Sequence, residues 1–532
     1  PGIPAPSERD HEGGERLVTR RTMLGAAAAA GVLAAAPRLG RPLLLPSGGG
    51  PKLASSPFAL GVASGDPLPD GIVLWTRLVL DRLAPDGGMP PEPVPVHWEL
   101  AADEGFRRKV RSGRAMARPE DAHAVHVDVS GLDAGSEWFY RFRVGDHESP
   151  IARTRTAPAA GAMPNKLGFA VASCQRYQSG FFTAHRHIAE EDVDAVLFLG
   201  DYIYESDSAG IRSHEGPEPT DLAAYRARYA TYKSDPDLQA AHHAHPWIVT
   251  WDDHEVDNNY ANDTPSGSPD ASAADFLARR AAAYRAWWEH QPVRIAPPTG
   301  SDLRIYRTVR YGRLAEVQVL DTRQYRTVPC DGTLGPRCDA ALAPDATLLG
   351  SAQERWLLRG LRRSNARWNV LAQQVLMTEA NFLRSSAEGL FSLDGWDGYP
   401  LARQRLLEGV VDADASNPVV VTGDIHSAWV NDLKTDFLDE SAPAVGTELV
   451  GTSITSGFPI AELAATAIAG QPHLKYFEGA RRGYARCTLN ADEWRADQRY
   501  VSTIAAPEAT VETGASFVIE AGRPGAQAAE GA

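Results

Sequence analysis

An α/β fold with a smaller all-β unit ahead of it is predicted by three observations. From Phe58 to about Ala157, short alternating strands follow one another between turn signals, with no helical pattern between them. From about residue 165 onward, apolar β-branched runs alternate with helix-period segments, the texture of parallel strands joined by crossover helices. Several of those runs stop at Gly-Asp or Asp-Asp, at the strand end where α/β sheets keep their ligand sites.

The chain of 532 residues is long enough for two to four units at ~150 residues each. An apolar share of 43% and a charged share of 23% are ordinary for a folded globular protein. A formal net charge of −15 argues against general nucleic-acid binding, which needs basic surface. An anionic substrate must therefore be drawn in by local charge, and bound cations are the simplest source. Residues 17–36 carry the pair Arg20-Arg21 after Thr19, then an Ala-rich apolar run ending Ala34-x-Ala36 before Pro37. Residues 1–36 thus read as a twin-arginine signal peptide, which implies the twin-arginine export machinery as a partner and a secreted or extracytoplasmic location. No other stretch is long and apolar enough to span a membrane, so no anchor is expected after signal removal. A monomer is expected.

Taken in order, residues 37–56 are a Pro-, Gly- and Ser-rich linker. Residues 57–158 form a β-sandwich, with strands around 72–78, 94–100, 124–129 and 138–144. The segment 129–140 resembles the corner before a late strand of a fibronectin type III-like domain, and packing or orientation is the role expected of the unit. After a hinge at 158–166, the larger domain runs over 165–505. Its strands are expected at Leu167–Ala172, Ala195–Leu199, Trp247–Trp251, Ala315–Leu320, Trp368–Ala372 and Pro418–Thr422. Helices are expected at Asp221–Ser234, Ala271–Glu289, Ser351–Arg363 and Ala402–Val411, the third opening on a capping box, Ser351-Ala-Gln-Glu354. The paired Trp287-Trp288 reads as core, as do Tyr225, Arg228 and Tyr229 at helical spacing. Cys330 and Cys338 flank a turn-rich loop that a disulfide can close, and Cys487 reads as a small buried residue. Residues 506–532, rich in Ala, Glu, Gly and Pro, read as a flexible tail.

Three strand ends carry the chemistry. The first joins Cys174 to Gly200-Asp201-Tyr202-Ile-Tyr204, the second is Asp252-Asp253-His254-Glu255 through Asn258, and the third is Gly423-Asp424-Ile-His426-Ser427. Hard oxygens among them suit Ca²⁺, Mg²⁺ or Mn²⁺, and the thiol, phenol and imidazole suit iron or zinc. A lone Gly-Asp is often a turn and a lone His often structural. Three acid- or His-bearing ends in one unit are hard to obtain by chance, and adjacent carboxylates repel unless something positive holds them.

These elements, with Phe58-Ala-Leu-Gly-Val-Ala-Ser-Gly-Asp-Pro67, resemble the PhoD-like alkaline phosphatases, a branch of the metallophosphoesterases. The resemblance implies a four-layer αββα catalytic domain behind the β-sandwich, and one Fe³⁺ with one or two Ca²⁺ in preference to Zn²⁺, Mn²⁺ or Mg²⁺. It implies Cys174, Asp201, Tyr204 and His426 on the iron side, with Asp201 shared. Asp253 and Asp424 become further metal ligands, their division between ions left open. Asn258 is then a substrate-phosphate contact, and His254 stands beside the leaving group or orients Asp253. Arg176 either touches phosphate or is an exposed arginine, Tyr202 is packing, and Asp321 is expected to pair structurally with Arg323 or a neighbour near the site, with a role in the site as the alternative. The implied function is a secreted metal-dependent phosphoric ester hydrolase in which a metal-activated hydroxide attacks phosphorus. Monoesters are the first choice and phosphodiesters or phospholipids the second. A non-catalytic extracellular binding module is the alternative of another class.

Overall fold

The computed structural model describes residues 53–84, 86–266, 272–384 and 388–529. The signal peptide expected at 1–36 and the linker up to residue 52 lie outside the described residues. The chain begins its described part with β1 (Val62–Leu68), β2 (Gly71–Arg77), β3 (Val94–Ala101), β4 (Arg111–Ala117), β5 (Ala124–Ser130), β6 (Glu137–Val144), β7 (His147–Glu148) and β8 (Ala152–Arg155). Strands β3, β4, β6, β7 and β8 form one small sheet. Strands β1, β2 and β5 face it across a core that includes Val62, Leu74, Val96, Leu100, Tyr140 and Phe142. That second face does not close on itself. It continues into the larger sheet, because Ser64 and Gly65 of β1 pair in parallel with Pro246 and Trp247.

The larger part is built from β9 (Leu167–Ala172), β10 (Ala195–Leu199), β11 (Pro246–Thr250), β12 (Arg307–Tyr311), β13 (Ala315–Val319), β14 (Leu334–Gly335), β15 (Trp368–Ala372), β16 (Phe391–Ser392), β17 (Pro418–Thr422), β18 (Ala428–Leu433), β19 (Gly446–Val450), β20 (Leu474–Glu478), β21 (Gly483–Leu489), β22 (Glu493–Val501), β23 (Val511–Glu520) and β24 (Gln527–Ala528). Among the described residues these, with β1, β2 and β5, make a ten-stranded sheet, β24-β23-β22-β21-β9-β10-β11-β1-β2-β5, a seven-stranded sheet, β12-β13-β15-β17-β19-β18-β20, and a two-stranded pair, β14-β16. Helices α1 (Thr183–Glu190), α2 (Leu222–Lys233), α3 (Pro236–Ala244) and α4 (Ala273–His290) belong to the first sheet, and α5 (Gly350–Arg363) and α6 (Pro400–Asp412) to the second; α7 (Ala461–Ile468) follows β19.

Strand parity explains the layering. Leu167, Phe169 and Val171 face the other sheet, where they meet Val317, Trp368, Val370 and Val419. Ala170, Val196 and Phe198 face the opposite way, onto Ile188, Tyr229 and Trp287 of the helices. On the far sheet Leu371 and Val420 meet Leu357, Leu361 and Leu406. Strands buried on both faces read as unbroken apolar runs, and each buried Val, Leu or Phe stabilises by about 1.5–3 kcal/mol. The result is the αββα sandwich expected. Asp66 ties the entry strand to it. Its Oδ1 accepts from Arg307 Nε and Nη2 at 3.0 and 2.7 Å, and its Oδ2 from the backbone N–H of Arg294 at 2.8 Å.

Two expectations are corrected. The tail expected at 506–532 is not frayed over its described length, because β23 pairs antiparallel with β22 and buries Phe517 and Ile519. The alternation around Phe517 and Ile519 is enough for a strand near the sheet edge, paired on its other side with β24, although the surrounding Ala and Gly dilute it. The capping box at Ser351 does not form either. Helix α5 starts at Gly350 without a side-chain cap, and Gly350 N–H donates to Thr347 Oγ1 at 2.9 Å instead. Cys330 and Cys338 are joined in a disulfide, and Cys487 is buried and free. No helix among the described residues is long and apolar enough to cross a membrane.

Candidate active site

The segments after β9, β10, β11, β13 and β17 converge at one edge shared by the two sheets. The backbone turns sharply there. Cys174, Asp201, Asp424 and His426 have φ of 60°, 55°, 60° and 56°, a left-handed conformation that non-glycine residues adopt at a cost of order 1–3 kcal/mol each. Such turns aim side chains across the edge and not along the strand. Gly200, at φ 107°, lets the chain pass Asp252 closely, since a Cβ there would stand 2.4 Å from the Asp252 Cβ.

On one side a thiol, a carboxylate and an imidazole meet: ligand atoms of Cys174, Asp201 and His426 lie within 4.8 Å of one another. The Tyr204 hydroxyl donates to Asp201 Oδ2 at 2.7 Å, lies 3.0 Å from His426 Nε2, and accepts from Ser456 Oγ at 2.7 Å. His426 Nδ1 is 3.1 Å from the Gly457 carbonyl. A carbonyl only accepts, so Nδ1 carries the proton and Nε2 presents its lone pair to the cluster. On the other side Asp252, Asp253 and Asp424 bring carboxylate oxygens within the same 4.8 Å, and Asp201 also groups with Asp253 and His254.

A buried arginine sits among these acids. Arg323 Nη2 donates to Asp424 at 3.1 Å and lies 3.7 Å from Asp253; Nη1 reaches Asp394 at 2.6 Å, and Nε donates to Asp252. The expected pairing with Asp321 is therefore corrected. Asp321 Oδ1 accepts the backbone N–H groups of Arg323 and Gln324, both at 3.0 Å, which frees the guanidinium for the site. Glu255 shapes the same loops through backbone groups. Its carboxylate accepts the N–H of Asp201 at 3.1 Å, of Tyr202 at 2.5 Å and of Asp252 at 2.8 Å.

Electrostatics follow from burial opposed by these charges. Burial pushes the Asp424 carboxyl up to about 7 against the pull of Arg323. For Asp253 burial is outweighed by Arg323 and His254, which hold its carboxyl well below the usual range. Burial raises the Cys174 thiol and the Tyr204 phenol, in both cases helped by Asp201, and lowers His426 to about 3. His254 runs the other way. Burial disfavours its charge, but Glu205, Asp253 and Asp201 together hold it well above its ordinary value. Glu205 Oε2 is 2.6 Å from His254 Nδ1, and Oε1 accepts the Asn258 N–H at 3.0 Å.

The donor set fits metal. Asp201 Oδ1, Asp252 Oδ2 and Asp253 Oδ1 are buried with no hydrogen-bond donor, a costly state that a cation relieves. The described residues thus contain adjoining groups able to hold metal ions.

The expected site residues are all brought to this edge. Asn258 is exposed at its mouth. Arg176 is half-buried, its Nη2 3.4 Å from Ser206 Oγ and bonded to Ser208 Oγ. Tyr202 is packing, its hydroxyl 2.8 Å from His242 Nε2. Tyr225, Tyr229 and Trp287 are core, while Arg228 also donates to the Glu205 carbonyl at 2.7 Å. Glu205, Glu255 and Asp394 were not singled out from the sequence, and Arg323 was singled out only as a partner for Asp321. Of the three, only Glu205 and Glu255 carried a signal, as further acids inside the two motifs.

The PhoD-like phosphatase family model matches residues 169–498, and the model of the N-terminal domain of PhoD-like phosphatases matches 46–158. Alkaline phosphatase D of Bacillus subtilis (strain 168) is 47% identical over 488 residues, covering 89% of this chain and 83% of that protein. The solved structure of PhoD superposes with a TM-score of 0.86 at 45% identity, over 91% of this chain and 94% of that one. Two facing sheets with this cluster at their common edge are thus the frame of a phosphoester hydrolase. The chain belongs to the PhoD-like phosphatase family, which sets aside a purely binding role.

Proposed function

We propose that the chain is an exported, metal-dependent phosphomonoesterase of the alkaline phosphatase D type. The observation that carries the metal requirement is the set of three buried carboxylate oxygens without donors, beside a thiol, a phenol and an imidazole. Cys174, Asp201, Tyr204 and His426 suit Fe³⁺, and the oxygens of Asp201, Asp253 and Asp424 suit Ca²⁺. When bound, such ions supply a nucleophile from water near neutral pH and neutralise charge on the phosphoryl oxygens. Asn258, at the mouth, holds a phosphoryl oxygen. His254 gives a proton to the departing alcohol as the P–O bond breaks, and the Glu205 bond at Nδ1 leaves Nε2 as the donor. Export is supported by Arg20-Arg21 ahead of the Ala-rich run.

The test is hydrolysis of a chromogenic monoester and a chromogenic diester by metal-replete protein, before and after calcium chelation. Monoester turnover that falls at least about 100-fold on chelation and returns with added Ca²⁺ is expected. Turnover unaffected by chelation would refute the calcium requirement, and faster diester than monoester turnover would reverse the substrate order.

A further inference from the structure

We infer that the centre has a second subsite, which binds an anionic group on the leaving alcohol, with Arg176 as its cation. The inference rests on the phosphomonoesterase reading of the same centre. A cavity of about 430 Å³ opens beside the cluster, lined by Arg176, Gln178, Ser208, Ile211, Thr455 and Ile504. It shares a wall with the proposed iron side. The Thr455 hydroxyl donates to the Arg176 carbonyl at 2.8 Å, Gly457 in the same wall accepts from His426 Nδ1, and the Arg176 guanidinium carbon is 5.8 Å from the Tyr204 ring centre.

Charge makes this cavity unusual for the chain. The net charge is −15, yet no residue lining the cavity is acidic. Arg212 nearby is committed to Asp235 at 2.6 Å. Arg176 instead has two serine hydroxyls as partners, so its Nη2 is oriented while its charge stays unneutralised. A guanidinium held open beside neutral donors and aliphatic side chains recognises a carboxylate or a second phosphate, and discriminates against a cationic leaving group.

The experiment uses full-length, metal-replete protein and a series of esters of similar size, with released phosphate as the readout. The series is 2-hydroxyethyl phosphate (neutral), phosphoethanolamine (cationic), 2-phosphoglycolate (carboxylate) and glycerol 1,3-bisphosphate (second phosphate). Values of kcat/KM for the two anionic esters about tenfold above the neutral one, and a lower value for the cationic one, are expected, with the difference carried by KM. The two anionic arms show which source of charge is preferred. Arg176→Gln brings the four esters within about twofold of one another; if that variant does not fold, loss of the preference at high salt in the unaltered protein replaces it. Equal turnover of all four by the unaltered protein overturns the subsite alone, as does a preference that survives Arg176→Gln. No turnover of any ester removes the phosphomonoesterase reading and the subsite with it.

Discussion

Glu205 decides which nitrogen of His254 faces the substrate. It holds Nδ1 at 2.6 Å while its other oxygen fixes the backbone before Asn258, so one carboxylate sets two mouth residues. Glu205→Gln is expected to lower kcat about 10- to 100-fold for alkyl phosphates and much less for p-nitrophenyl phosphate, whose leaving group needs no proton. Equal losses on both would show that Glu205 does not act through proton donation. Cys174→Ala is expected to remove iron, read by elemental analysis, together with any visible Tyr204-to-iron absorption. A colourless, zinc-loaded, active protein would refute the iron assignment. Asp201, Asp253 and His426 were legible because each closes a strand with a group that is costly to bury without a partner, and Cys174 because it stands at the strand end where such groups gather. The partners of Arg323 were not, because Asp252, Asp394 and Asp424 lie about 70 to 100 positions away, and no local pattern encodes a contact that only the meeting of two sheets creates.

The strands that carry the site were legible almost to the residue, since double-sided burial writes them as unbroken apolar runs. The strand β23, next to the short edge strand β24, was not, because it buries only a few side chains such as Phe517 and Ile519 among exposed small and polar ones. Ending the chain at Ala509 is expected to leave β22 as an open edge and uncover the side of the core that Phe517 and Ile519 fill. The loss is about 5 kcal/mol, seen as a lower melting temperature and as aggregation on a sizing column. A truncated protein that is monodisperse and melts like the full chain would show that β23 adds nothing to the fold.

At the scale of the molecule, buried histidines set how the fold responds to acid. Burial is the main cause that lowers His126, His243 and His245, each to about 4. Between ~6.5, the unfolded value, and those values the unfolded chain binds more protons. Stability from these groups is therefore complete above the unfolded value and is lost as pH falls toward about 4. The melting temperature is expected to drop by several degrees from pH 7 to pH 5, and a flat profile over that range would refute the assignment. The register of the large sheet sets a timetable as well. Val171 pairs with Ala485, and Ser64 with Pro246, so on the ribosome each strand waits for a partner that has not been made. For Val171 the wait spans roughly 300 residues, on the order of 15–60 s of synthesis, during which an apolar strand has a bare edge. That edge stays open to mispairing until residues near 485 emerge, and the large sheet is complete only then.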